Sequence, residues 1–201
     1  CFPEEVSMFT TKLSNCIVDV QSWMSSNKLK LNSEKTEFIV FGSPRHLKIV
    51  SPKIQIGQSI IEPSTCVRNL GIFLDAELNM STHITSVCRT SMSCIRNIGR
   101  LRNAIDQKTC ELLFNSLVTS RIDYCNTLFW QLPLSQVNRL QKIQNICARI
   151  VTRSRCRESI SPILKDLHWL PVVKRIRYKI LLMVYKAIMT DSSPLYLVEL
   201  F

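Results

Sequence analysis

From Asn79 onward, apolar side chains return every three or four residues with few interruptions. That spacing puts them on one side of an α-helix, so this part of the chain has to pack helix against helix. The predicted helices are 80–103, 107–119, 134–153 and 171–190, the last broken by Asp-Ser-Ser-Pro at 191–194. Before Asn79 the period is mixed. Val6, Phe9, Leu13, Ile17, Val20 and Met24 predict an amphipathic helix over 4–26, ended by Ser-Ser-Asn-Lys. Residues 35–42, KTEFIVFG, alternate with Phe38 and Val40 on one face, which predicts a strand over Thr36–Gly42 closed by Gly42 and Pro44. KIQIGQSIIE reads as a hairpin turning around Gly57 and Gln58, and CVRNLGIFLD as a further strand. The expected fold class is α+β: a small part with one helix and antiparallel strands over 1–78, then a mainly α-helical bundle over 79–201. No internal repeat or low-complexity segment is present.

Charge obeys nearly the same divide. Residues 1–85 hold 8 basic and 8 acidic side chains, whereas 86–201 hold 18 basic and 7 acidic, so the whole excess of +11 lies in the second part. A one-sided basic excess on a folded region suggests a polyanion partner, usually nucleic acid. At about 100° per residue, Ile84, Val87, Cys88, Ile95 and Ile98 share a face of the first basic helix, and Arg89, Arg96 and Arg100 lie opposite. In the next, Val137, Leu140, Ile143, Cys147, Ile150 and Val151 oppose Arg139, Lys142, Arg149 and Arg153. In the last, Val173, Ile176, Ile180 and Val184 oppose Arg175, Lys179 and Lys186, with Tyr178 and Tyr185 beside them. A basic stripe opposite a core stripe is ordinarily a solvated face, but solvated faces mix signs. These three carry almost no Asp or Glu. Arginine also suits phosphate, because its planar fork holds two oxygens at once. The two tyrosines stack on a base or sugar in that reading, and pack in the other.

Nine cysteines offer no CxxC pair, and their spacing to His46, His83 and His168 fits no zinc finger, so no metal site is expected. The odd count and the lack of a signal peptide predict reduced thiols in an intracellular protein of the nucleus or cytoplasm. No apolar run approaches the ~20 residues of a membrane span, so no membrane partner is expected. The opening CFPEEV, without an initiator Met, reads as a fragment or as a gene that lost its front.

Order and wording then become specific. A helix is followed by NKLKLNSEKTEFIVFG, a hairpin, VRNLGIFLD, and a basic helical region with SLVTSRIDYCNTLFW, LQKIQNICARIV and LHWLPVVKRIRYKILLMVYKA. This resembles the reverse transcriptase of non-LTR (LINE-type) retrotransposons, close to the jockey-like and chicken-repeat groups, over essentially the whole chain. The resemblance implies the end of a palm over 1–78 and a thumb with the region beyond it over 79–201. It also implies an RNA–DNA template–primer duplex, or RNA, as partner. The fingers and the rest of the palm, with their paired aspartates, would lie upstream of Cys1. Lys35, in the pattern Asn32 to Lys35, matches the lysine that protonates the leaving pyrophosphate, with Lys30 as an alternate. Leu70 and Gly71 match the turn that grips the primer end.

Nucleotidyl transfer needs two metal ions on carboxylates held close together. The carboxylates of residues 1–85 are Glu4, Glu5, Asp19, Glu34, Glu37, Glu62, Asp75 and Glu77, and none forms a neighbouring pair in a strand-turn-strand. Mg²⁺ is therefore expected for the complete polymerase and no cofactor for this chain alone, which is expected to be inactive by itself. Two functions remain open: a reverse-transcriptase segment that binds template–primer, and a non-enzymatic helical protein-interaction module derived from a retrotransposon.

Overall fold

The computed structural model describes residues 3–49, 52–57, 59–189 and 194–199. The chain is mainly helical α+β: an N-terminal helix, two small antiparallel hairpins, then a helical region. It divides into two compact units, 1–82 and 83–201. Among the described residues, no helix is long and apolar enough to cross a membrane.

In the first unit, α1 (Pro3–Ser26) packs on β1 (Ile54–Ile56), which pairs with β2 (Ser59–Ile61). Gly57 opens the hairpin turn at φ +61°, a conformation that only glycine adopts without strain; Gln58 lies outside the described residues. CVRNLGIFLD is two strands rather than one. β3 (Cys66–Asn69) pairs antiparallel with β4 (Ile72–Asp75) across a turn at Leu70 and Gly71. Positive φ at both turn residues, 47° and 87°, matches the right-handed twist of the strands.

One expectation fails here. The strand over Thr36–Gly42 does not form. Phe38 makes one isolated bridge to Pro63, its carbonyl accepts from the Ser64 N–H at 2.7 Å, and the Gly42 N–H donates to Ala76 at 3.0 Å. Pro63 has no N–H, so a ladder cannot propagate past it. A short helix, α2 (Pro44–Ile49), comes next, with Pro44 at the first helical position. On α1, the predicted inward stripe is only partly covered. Ile17 and Met24 are half-buried, while Phe9, Leu13 and Val20 are exposed; the side chain of Val6 lies outside the described residues.

The second unit holds most of the core. α3 (Ser81–Leu101), which begins just before the divide, buries Ile84, Val87, Ile95 and Ile98. α4 (Gln107–Phe114) is capped by Asp106, whose carboxylate accepts from the Thr109 N–H at 3.1 Å. It runs through one π-helical turn, Asn115–Thr119, into α5 (Ser120–Asp123). Cys110, Phe114, Val118 and Ile122 are all buried at steps of four. On a regular α-helix such steps drift by about 40° each, and the wider turn offsets that drift. α6 (Leu134–Thr152), α7 (Ile160–Asp166), α8 (Val172–Met189) and the short α9 (Leu195–Val198) complete the unit.

α8 meets the core chiefly through its first turns. Val172 and Ile176 are buried, but Val173, Ile180 and Val184 are only half-buried. The segment leading into it is fixed to its neighbours. Trp169 Nε1 donates to Glu111 at 3.1 Å, Gln144 donates to the Leu170 carbonyl at 2.9 Å, and the Val172 N–H donates to Gln141 at 2.8 Å.

Few side chains in the first unit are buried: Ile54, Ile56, Val67, Ile72 and Met80 among those described. Amide exchange should therefore be fast across residues 3–61 and slow in the cores of α3 and α6. Hydrogen-exchange mass spectrometry checks this; equal protection in the two units would show that α1 has a firmer seat than its burial indicates.

His83 carries a second expectation. It is 4% exposed, neither ring nitrogen has a hydrogen-bond partner, and its ring centroid lies 5.9 Å from that of Phe129. Burial lowers its pKa below the ordinary histidine value. The folded chain thus binds the proton less readily than the unfolded chain, so His83 contributes stability above pH ~6.5 that is lost as pH falls through the acidic side. Urea midpoints at pH 7.5 and pH 5 should differ more for the parent than for His83→Phe. An equal pH dependence in the two proteins would rule out the effect.

Candidate nucleic-acid interface

α3 and α6 run side by side in the same direction. Near their starts, Arg139 Nη2 donates to Thr85 Oγ1 at 2.9 Å. Near their ends, Arg102 Nε donates to the Ile150 carbonyl at 2.9 Å and Arg153 Nη2 to the Arg102 carbonyl at 3.2 Å. The two helices together carry six basic side chains and no carboxylate. Arg89, Arg96 and Arg100 succeed one another along the exposed side of α3, and Lys142 is exposed on α6. These four make no hydrogen bond or ion pair among the described residues, so their charges are available to a polyanion.

Arg139, Arg149, Arg153 and Arg175 are engaged within the protein. Arg139 Nη1 also donates to Gln136 at 2.8 Å. Arg149 donates to the carbonyls of Arg155 at 2.7 Å and Glu158 at 2.9 Å, tying down the loop after α6. Arg153 ends α6 at φ 57°. Arg175 forms a two-pronged ion pair with Asp123, its Nε at 2.8 Å from Oδ1 and its Nη2 on Oδ2. Lys179 is exposed one turn further along α8, and Lys186, also exposed, lies near its end. Tyr178 and Tyr185 are 58% and 59% exposed, which is more surface than packing residues usually keep.

Sequence reasoning did not single out Arg102. It donates to three backbone carbonyls: Ile150, Ile105 at 3.0 Å and Val151 at 2.8 Å. The last carbonyls of a helix lack intrahelical partners and form its negative pole, so a guanidinium there satisfies both. Arg177 was missed as well; its guanidinium carbon lies 5.6 Å from the centre of the Trp130 ring. Neither position had a signal beyond being basic and close to an apolar run.

In the first unit, Asn32 caps a 3₁₀ turn, Ser33–Lys35, by accepting from the Lys35 N–H at 3.2 Å, and the Lys35 side chain is exposed. Leu70 is 83% exposed at the tip of its hairpin. A leucine at positive φ is strained by roughly 1–2 kcal/mol, and here it presents an apolar side chain to the surface.

Among the described residues, no group of three or more His, Cys, Asp or Glu is placed to hold a metal ion, so the donors present do not fit a magnesium pair. The inner thiols are packing groups. Burial raises the pKa of Cys88 and Cys110 and pushes Cys147 up to about 12. No protein-family model, curated protein or solved structure matches the chain.

Proposed function

We propose that this chain is a palm-and-thumb segment of a non-LTR retrotransposon reverse transcriptase, and that its helical unit holds an RNA–DNA template–primer duplex by the backbone. The observation that carries this reading is the pair α3 and α6: six basic side chains, no carboxylate, and an exposed row of Arg89, Arg96 and Arg100. Such a row neutralises phosphates without reading bases, so binding should be sequence-tolerant and should weaken steeply with salt. Titration of the chain with a fluorescent RNA–DNA hybrid at about 50 mM and about 200 mM salt is the test. Absence of salt-sensitive binding would overturn the reading.

In this reading Lys35 and the Leu70–Gly71 turn keep the positions of the palm lysine and the primer grip. Chemistry is not expected from them alone, because among the described residues no group of three or more His, Cys, Asp or Glu could hold a metal ion. Primer extension by the pure chain with Mg²⁺ or Mn²⁺ and all four nucleotides should give no product. Template-dependent extension would show that the carboxylates of residues 1–85 suffice.

A second reading, a non-enzymatic protein-interaction module, is favoured by one observation. The later part of α8 exposes Leu181, Met183, Tyr185, Ile188 and Met189. Replacing Leu181, Met183 and Ile188 with Ser leaves hybrid binding intact in the first reading and removes partner binding in the second.

A further inference from the structure

α5, the turn after it, and the start of α8 border an open pocket of about 220 Å³ lined by Asp123, Asn126, Leu170, Arg175, Tyr178 and Lys179. Its chemistry is two-sided. Lys179 and the Nη1 of Arg175, which the ion pair does not use, are donors on one side. Asp123 supplies acceptors on the other. Asn126 is 2% exposed, and its Oδ1 has no hydrogen-bond partner, while its Nδ2 donates to Asp123 at 3.4 Å. That oxygen has essentially no accessible surface, so Asn126 supports the wall by holding Asp123 rather than by meeting an occupant. Leu170 and the Tyr178 ring give the rim an apolar wall.

Size narrows the occupant. Pockets for whole small molecules run from about 300 Å³ upward, so this one suits a single unit of a polymer that continues outside it. A group carrying an anion, a hydroxyl donor and an apolar carbon face in that volume is a sugar phosphate. We infer that the pocket takes one ribose–phosphate unit of the RNA strand, an inference that rests on the duplex-binding function proposed above. The phosphate lies against Lys179 and Arg175, the 2′-hydroxyl donates to the Asp123 carboxylate, and the sugar carbons lie on Tyr178. The charge of Asp123 does not repel the phosphate, because Arg175 neutralises it through two hydrogen bonds. The pocket thereby distinguishes RNA from DNA by its hydroxyl, whereas the row on α3 meets only phosphates.

The test uses the full chain and duplexes of one sequence: an RNA–DNA hybrid, and the same hybrid with a 2′-O-methyl RNA strand, which keeps the A-like shape but has no 2′ donor. A hydrogen bond to a charged acceptor predicts about tenfold tighter binding of the unmodified hybrid. Asp123→Asn should narrow that ratio to less than about threefold, whereas Lys179→Gln, at an exposed position, should weaken both hybrids alike. If Asp123→Asn does not fold, a hybrid with a 2′-fluoro RNA strand, which has no hydrogen to donate, decides: it should bind the parent as weakly as the 2′-O-methyl hybrid, and binding as tight as the unmodified hybrid overturns the pocket. Equal affinity of the parent for the unmodified and 2′-O-methyl hybrids, with salt-sensitive binding retained, overturns the pocket and leaves the duplex-binding function standing. A tenfold ratio that survives in folded Asp123→Asn overturns it too, since the hydroxyl is then met elsewhere. Absence of salt-sensitive binding to either hybrid overturns both.

Discussion

Reversing Arg89, Arg96, Arg100 and Lys142 to Glu should remove hybrid binding and leave the helices folded. All four side chains are exposed and bond to no other described residue, so the change touches no internal contact. Sequence-independent binding at physiological salt lies in the range ~10⁻⁴–10⁻⁶ M and comes almost wholly from phosphate neutralisation. Four reversals replace attraction with repulsion and should carry the affinity beyond detection. The slope of log affinity against log salt should also become shallower, by roughly 0.9 for each lost phosphate contact. Circular dichroism checks the fold. Should the folded variant bind like the parent with an unchanged slope, the basic rows are solvated faces and the interaction-module reading takes the lead. Arg149 and Arg153 are poor choices for this experiment. Reversing them would also strip donors from the carbonyls of Arg155, Glu158 and Arg102, and lost binding could then reflect lost structure.

The largest loss of stability at a basic position should come from Arg102→Ala, at about 2–4 kcal/mol in the helical unit. Three backbone carbonyls accept from this one guanidinium. A hydrogen bond involving a charged group contributes about 1.5–3 kcal/mol, and the half-exposed position lowers the sum. Arg102→Lys should recover little of the loss, because an ammonium cannot reach three carbonyls in the geometry of the planar fork. Urea unfolding monitored at the unit's tryptophans, Trp130 and Trp169, is the measurement. A loss below about 1 kcal/mol would mean that solvent replaces the guanidinium at these carbonyls.

The contrast between these two sets of arginines shows what a linear pattern can and cannot carry. The long helices after Asn79 were legible to within a few residues, because a buried stripe on a 3.6-residue helix leaves its period in the order of residues. The positive charge of α3 and α6 was legible for the same reason. The partners of the arginines were not. Thr85 lies 54 positions from Arg139, and Asp123 lies 52 from Arg175, and no local spacing tells a guanidinium that an acceptor waits there. On α1 the period marked an apolar stripe correctly but said nothing of what covers it. Over Thr36–Gly42 the alternation was real, but pairing needed a neighbour with an N–H, and the neighbour is Pro63. The segments SRIDYCN and LHWLPVVKRIRYKI meet in space through Asp123 and Arg175, so their joint occurrence has a packing reason of its own.

The π-helical turn at Asn115–Thr119 has a further consequence. It accommodates one residue more than an α-helical turn, so it sets the angular offset between α4 and α5. On the α4 side, Cys110 and Phe114 face the core; on the far side, Asp123 and Asn126 face α8. Deleting one residue within 115–119 would remove the extra residue and let the helix close to regular geometry with Asp123 still turned toward Arg175, because the lost residue's rotation of about 100° and the under-rotation of the wider turn nearly cancel. The same deletion elsewhere in α4 or α5 has no wide turn to absorb it and would swing Asp123 by about 100° away from Arg175. The turn therefore acts as an absorbed insertion, and 115–119 is the place in this helix where the chain can lose a residue and keep its downstream face.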